Sequence, residues 1–412
     1  MHNDNDNDND NDNDNSDIGS GADRQAGTSR RTILKAVGAT ATGLLLGGSA
    51  CAAAPRKRYA VVGVGSRARM FMRAITDDFR DDNDIVAVCD NNAGRAALAV
   101  RTIAATGASQ PRAYSAAQFD TMIRETRPDY VIVTTVDATH DDYIVRALDL
   151  GCDVITEKPM TTTAAKAQRI LDAVKRSGRH VRVTFNYRYA PPRTQVKDLL
   201  MSGEIGDVLS VDFTWLLNTV HGADYFRRWH SNKARSGGLM IHKATHHFDL
   251  VNWWLGAQPE RVHAFGSRQF YTPQTARRLG LQGAHERCLT CSEKARCAFY
   301  FDLAADAGLK ALYLENEKYD GYFRDQCVWR PEIDIEDTMN VMVRYDNSVQ
   351  LNYALSAYDA WEGYHIAFNG TKGRLEHRIV EKVGVAGANE VQSMSEGVHT
   401  RVIPLRGAAR DI

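Results

Sequence analysis

The stretch of this chain richest in reactive side chains is Ser236-Gly237-Gly238-Leu239-Met240-Ile241-His242-Lys243-Ala244-Thr245-His246-His247-Phe248-Asp249-Leu250. Imidazole titrates near neutrality, so a histidine here can take the proton of a hydroxyl while a hydride leaves the same carbon. The glycines end a loop, and the residues after them predict a helix. At 100° per residue, His242, His246, Asp249 and Trp253 fall within about 60° of one another, so three polar groups share one face. Lys243 stands among them as a cation able to stabilise an alkoxide. His242 and His246 at i and i+4, with Asp249, also have the spacing of a metal-ion site.

Just upstream lie Trp215, His221, Tyr225, Arg227, Arg228, Trp229 and His230. Aromatic rings stack on the C–H faces of a pyranose while Arg and His bond its hydroxyls. As a set they point to a carbohydrate, with Trp215, Tyr225, Arg228, Trp229, His230 and Lys243 as the candidate contacts.

A second group has the spacing of a nucleotide site. Residues 57–62 read as a short buried strand running into Gly63-Val64-Gly65-Ser66-Arg67-Ala68, a G-x-G-x-x-A turn, and then a helix over 69–79. The first glycine allows the tight turn, the second lets a pyrophosphate approach the backbone, and Ala68 keeps the helix close to the strand. A second strand, 84–89, ends in Asp90, where an acid can accept both ribose hydroxyls and repel a 2'-phosphate. That favours NAD, while Arg67 and Arg95 keep NADP open. Strands over 128–135, 153–156 and 180–185 alternate with helices near 141–150 and 164–176. Such alternation implies a doubly wound parallel sheet, with ligands at the carboxyl ends of its strands, where Asp90, Thr135 and Glu157-Lys158-Pro159 fall.

With Thr135 and His140 before Glu157-Lys158-Pro159, and Asn186-Tyr187-Arg188-Tyr189 after it, the chain resembles the glucose-fructose oxidoreductase, inositol dehydrogenase and MocA family. The resemblance runs from about Arg58 to Glu376, where Phe368 to Glu376 is similar to the family's closing turn and strand. It implies an α/β Rossmann domain, 56–184, joined to an α+β domain, 185–412, with an open, mostly antiparallel sheet whose face forms the sugar site. An insertion over about 269–330 fits least well. The coenzyme residues it implies are Gly63, Gly65, Ser66, Arg67, Asp90, Arg95, Thr135, His140, Glu157, Lys158 and Arg188. Lys158 is placed near the nicotinamide as the cation beside the alkoxide. His246 occupies the position of the family's proton-accepting histidine, and His242 stands where the family has an aspartate. Asp249 matches a commonly acidic position and would orient His246 or bind the sugar. The family requires no metal, and none is expected.

Ahead of both domains, Ser29-Arg30-Arg31-Thr32-Ile33-Leu34-Lys35 precedes an uncharged stretch from Ala36 to Ala54 that ends in small residues. This order is that of a twin-arginine signal peptide, read by the twin-arginine translocase. The stretch is too short and too rich in Gly and Ala for a membrane span. Alternating Asn and Asp from Asn3 to Asn15 cannot bury apolar surface and predict a disordered tail. The expected location is therefore periplasmic or otherwise exported, with lipid anchoring at Cys51 as a variant of simple cleavage.

The remainder, roughly 355 residues, suffices for two cores. With 43% hydrophobic residues, 25% charged and no net charge, the composition gives no reason to expect a nucleic-acid partner. Cys288, Cys291 and Cys297, spaced C-x2-C-x5-C, with Cys327, suggest disulfides or a zinc knuckle of structural purpose. Cys89 and Cys152 read as buried thiols.

Together these features predict an exported, NAD-dependent, homo-oligomeric oxidoreductase that takes a hydride from a secondary hydroxyl of a sugar, glycoside or polyol. Free nicotinamide coenzyme is scarce outside the cytoplasm, so it would travel tightly bound in the folded protein. The alternatives are a glycosidase or lyase working through transient C3 oxidation, and a sugar-binding protein without catalysis.

Overall fold

The computed structural model describes residues 55–282, 285–383 and 397–412. The Asn/Asp tail, the twin-arginine motif and Cys51 lie outside the described residues. Apolar runs form the first sheet: β1 (Lys57–Val62), β2 (Asn83–Asp90), β3 (Arg112–Ser115), β4 (Tyr130–Val133), β5 (Asp153–Thr156) and β6 (Val181–Val183). They pair in parallel in the order β3-β2-β1-β4-β5-β6. Val61, Val88 and Val131 are fully buried from both faces, as a sheet covered by helices on either side requires.

Local chemistry sets the helix ends. Asn92 caps Ala93–Ala105 by accepting the Arg95 N–H, and Thr163 caps Ala164–Ser177 by accepting that of Lys166. Gly178 ends the latter in the left-handed conformation. After the glycine turn, Ala68–Arg73 is α-helical, and the expected helix continues as a π-helix over Ala74–Asp78.

The second sheet contains β7 (Val208–Asn218), β8 (Pro259–Ser267), β9 (Thr338–Tyr345), β10 (Gln350–Asp359), β11 (Trp361–Gly370), β12 (Gly373–Val383), β13 (Gly397–Pro404) and β14 (Arg410–Asp411). Its order is β14-β13-β12-β11-β7-β10-β9-β8, antiparallel except for the β7–β10 pair. Alternation is plain along β7: Val211, Phe213, Trp215 and Leu217 are buried, while Asp212 and Thr214 are exposed. The buried face packs against Leu250, Val251 and Trp254 of the Ala244–Leu255 helix.

Between β8 and β9 lies the cysteine-rich insertion. Cys288, Cys291, Cys297 and Cys327 line one cavity of about 20 Å³ as free thiols. Among the described residues, no three His, Cys, Asp or Glu gather as a metal site, and no helix is long and apolar enough to cross a membrane. Buried ion pairs anchor the insertion instead. Arg287 binds Glu317 and Asp325, each at 2.6 Å, and Arg324 binds Asp224 at 2.6 Å. Burial pushes the thiol of Cys89 up to about 12 and that of Cys152 up to about 11.

His377 is fully buried on β12, its ring 2.8 Å from Thr400 Oγ1 and 3.0 Å from the Tyr364 hydroxyl. Burial, with Arg193 nearby, lowers it to about 3. A histidine depressed below its unfolded value of about 6.5 stabilises the fold fully above that pH and loses the contribution as pH falls toward 3. Urea unfolding at pH 7 and pH 4.5 is therefore expected to show a smaller acid loss in His377→Gln than in wild type. Equal losses would remove His377 as the cause.

Candidate active site

The carboxyl ends of β1, β2, β4 and β5 open into a cavity of about 510 Å³, closed on the far side by residues 221–242 and by the insertion. Gly63 begins the turn at φ +82°, and a Cβ there would lie 2.8 Å from the carbonyl of Thr134, so only glycine lets β1 and β4 end this close. At Gly65 a Cβ would meet only the Tyr313 hydroxyl, at 3.5 Å, which leaves the turn's backbone open to a phosphate. Asp90 stands at the end of β2, its Oδ2 accepting the Val64 N–H at 2.8 Å and its Oδ1 the Asn92 N–H at 2.7 Å. A carboxylate oxygen has a second lone pair, so Oδ2 can still receive a ribose hydroxyl. The glycine turn, the open backbone and the placed carboxylate fit a dinucleotide.

Deeper in, Arg67 and Glu157 pair at 2.9 Å, and Glu157 also accepts the Thr184 hydroxyl at 3.0 Å. His140 sits between the carbonyls of Pro159 and Thr135 at 2.9 and 3.0 Å, and burial lowers its pKa. The Lys158–Pro159 peptide is cis. Lys158 is buried, and its Nζ donates to the His242 carbonyl at 3.2 Å and lies 3.5 Å from His242 Nε2. The other ring nitrogen, Nδ1, is 2.6 Å from Asp137 Oδ2. Burial raises the Asp137 carboxyl well above the usual range, against the pull of Lys158.

Next to His242 is His230, their ring centroids 4.2 Å apart. Trp229 stacks on His230 at 3.6 Å. Burial, then Arg228 and His242, holds His230 well below its ordinary pKa, so it is neutral. Its Nδ1 is buried without a hydrogen-bond partner among the described residues. Such an atom costs about 1–3 kcal/mol unless something else pairs with it. Beyond it, His221 lies between Tyr225 and Glu362, with its Nε2 3.0 Å from the Tyr225 hydroxyl and its Nδ1 2.5 Å from Glu362. Arg228 binds Asp224 at 2.8 Å, which it shares with Arg324.

The cavity thus gathers Gly63, Gly65, Ser66, Arg67, Asp90, Arg95, Thr135, His140, Glu157, Lys158, Tyr225, Arg228, Trp229, His230 and His242. It does not gather the rest. The expected single helix is broken: His242 ends Leu239–His242, and a new helix starts at Ala244 after a turn in which the His246 N–H reaches only the Lys243 carbonyl. That break sends His242 to the cavity and His246 into the core, fully buried and stacked 3.9 Å over Tyr187. The structure thus does not bring His246, the expected proton acceptor, to this cavity. Asp249 does not line the cavity either. It forms a two-pronged ion pair with Arg188, which is likewise absent from the coenzyme cavity. Trp215 is buried between His247 and Tyr364, at 3.9 and 4.8 Å, because it lies on the inner face of β7. Lys243 is buried over the same core and donates to the Tyr187 hydroxyl at 2.7 Å. Neither lines the coenzyme cavity.

Asp137, Glu362, Tyr313, Tyr322 and Asp320 are site residues that the sequence did not single out. Asp137 follows β4 at the expected ligand end of the sheet, which was the one usable signal. The others come together only through the topology.

Replacing His242 by Ala is expected to lower turnover by about 10²- to 10⁴-fold while leaving coenzyme binding intact. His246→Ala is expected to cost about 2–4 kcal/mol of stability through the lost stack. Parallel kinetics and urea unfolding of the two variants check this, and the opposite pattern would restore His246 to the chemistry.

Comparison with known proteins agrees with this fold. Residues 57–185 match the model of an oxidoreductase family with an NAD-binding Rossmann fold, and residues 197–405 match that family's C-terminal alpha/beta domain. The chain is 40% identical over 328 residues to the putative oxidoreductase YteT of Bacillus subtilis, covering 78% of this chain and 76% of that one. It is 29% identical over 210 residues to inositol 2-dehydrogenase of Salmonella typhimurium, covering 51% of this chain and 57% of that one. The fold is shared with the WlbA dehydrogenase of Bordetella pertussis, solved with NADH and UDP-GlcNAcA, at a TM-score of 0.55 and 19% identity over 78% of this chain and 79% of that one. Both halves fit one family throughout: the chain belongs to the Gfo/Idh/MocA oxidoreductases, with an NAD-binding Rossmann domain.

Proposed function

We propose that this enzyme is exported and oxidises a secondary hydroxyl of a sugar, glycoside or polyol, with Lys158 and His242 at the reacting atoms. The observation that carries the reading is the run Asp137–His242–Lys158, at 2.6 and 3.5 Å, on the wall of the coenzyme cavity. When bound, NAD supplies a nicotinamide ring that takes the hydride from the carbinol carbon. Asp137 holds the Nδ1 proton of His242, which leaves Nε2 to accept the hydroxyl proton. Lys158 stabilises the alkoxide that forms. His230 Nδ1 accepts a hydrogen bond from a neighbouring hydroxyl, and Tyr225, Arg228 and Trp229 complete the sugar wall. The sugar class is supported by these groups and by the inositol 2-dehydrogenase relative.

The run Tyr225–His221–Glu362 favours a second scheme on the same site. It gives the cavity another proton relay, as elimination of a glycoside next to a transient ketone would require. Product analysis after one turnover of as-isolated enzyme separates the two. A stable keto-sugar supports simple oxidation, and a cleaved glycoside with no net redox change supports elimination.

The twin-arginine motif supports export to the periplasm by the twin-arginine translocase, with coenzyme carried in the fold. Retention through export implies a Kd near or below nanomolar, about 12 kcal/mol. Denatured protein is expected to release about one equivalent of NAD by absorbance and mass. Coenzyme-free protein would overturn carriage. Lys158→Ala is expected to abolish hydride transfer while sugar binding remains measurable, and surviving turnover would dismiss the site assignment. On the outer face of the second sheet Phe265 and Met342 are exposed, an apolar surface that a second copy of the chain would cover.

A further inference from the structure

The part of the insertion that follows the cysteine cavity lies across the phosphate turn. The Gly308 carbonyl, in the Ala307–Leu312 helix, accepts from Arg69 at 3.2 Å. Tyr313 meets Ser66 twice: its hydroxyl accepts the Ser66 N–H at 3.2 Å and donates to Ser66 Oγ at 3.3 Å. Further along, the Asn316 carbonyl accepts from the Asn92 amide at 2.9 Å. The contact is close enough that a Cβ on Gly94 would lie 1.9 Å from Asn316 Oδ1 and 2.5 Å from Tyr319. The segment is therefore fitted to the first domain, where the helix after Asp90 begins.

It ends on a charge. Asp320 accepts from Arg95 Nη2 at 2.6 Å, and the same nitrogen lies 3.3 Å from Asp90 Oδ1 and 3.2 Å from Asn91 Oδ1. The side chains of Arg95 and Asp320 are only 10% and 13% exposed, so water screens this pair weakly. Asp90, Arg95 and Asp320 all line the cavity. Arg95 is the cation best placed to meet a 2'-phosphate at the end of β2. With Asp320 bound to it, two carboxylates surround one guanidinium, and the site carries an excess negative charge. A phosphate dianion would have to displace Asp320 or lie against an uncompensated carboxylate. A ribose diol, by contrast, only donates to these oxygens.

We infer that Asp320 determines coenzyme choice: by occupying Arg95 from the insertion side, it turns a site that could hold NADP into one selective for NAD. The insertion thus forms the outer wall of the adenosine-ribose site, and its Asp320 carboxylate acts on selectivity through Arg95.

The test uses the full chain freed of carried coenzyme, titrated separately with NADH and NADPH. Energy transfer from tryptophan to the bound dihydronicotinamide reads the binding, with Trp229 in the cavity wall as a donor. In Asp320→Asn the NADPH Kd is expected to fall about tenfold relative to the NADH Kd. Adding Arg95→Ala is expected to remove that gain, which a merely structural effect of Asp320 would not explain. Asp320→Ala repeats the charge loss with a different side chain. A Kd ratio unchanged in both single variants, a gain that survives the loss of Arg95, or loss of both ligands from both single variants would each overturn the inference.

Discussion

The carboxyl of Asp137 and the amine of Lys158 sit after neighbouring strands of the first sheet, both nearly sealed from water. Burying either group alone costs several kcal/mol. Each is matched by a single imidazole, His242, that the second domain supplies. The same contacts therefore hold the seam between domains and set the chemistry. Parting the domains would break both contacts to His242, so the alignment of the reacting groups is tied to the interface. His230 and Trp229 stack behind this cluster and keep the second-domain wall in register with it.

The nucleotide half was largely legible in the sequence because its rules are local. A tight turn needs glycine at Gly63, a phosphate needs bare backbone at Gly65, and Asp90 must end a strand, so the spacing alone placed all three. The catalytic half was less legible. Helical periodicity put His242 and His246 on one face, but the turn at Lys243 rotates them apart, and no residue type there announces a break. Trp215 belonged to a suggestive cluster of aromatics, yet strand alternation on β7 turns it inward. Glu362 and His221 meet through the second sheet, in contacts between distant segments that no local pattern encodes. The insertion has no periodicity, and its place over the phosphate turn is set by single contacts from Gly308, Tyr313, Asn316 and Asp320.

Not all of the second domain's polar chemistry serves the cavity. Arg188 with Asp249, and Lys243 with Tyr187, pair polar side chains within the domain itself. They give the Ala244–Leu255 helix a fixed seat, and so fix where the turn before it presents His242. A residue can thus match a functional motif and hold its neighbour in place.

The cysteines give the molecule an unintended asymmetry. Cys89 and Cys152, buried with thiols held at about 12 and about 11, form almost no thiolate at neutral pH. Among the described cysteines, electrophiles are left with those of the insertion, where Cys291 and Cys297 are partly open to solvent. Alkylation there becomes a clock for local opening of the segment that lies across the phosphate turn.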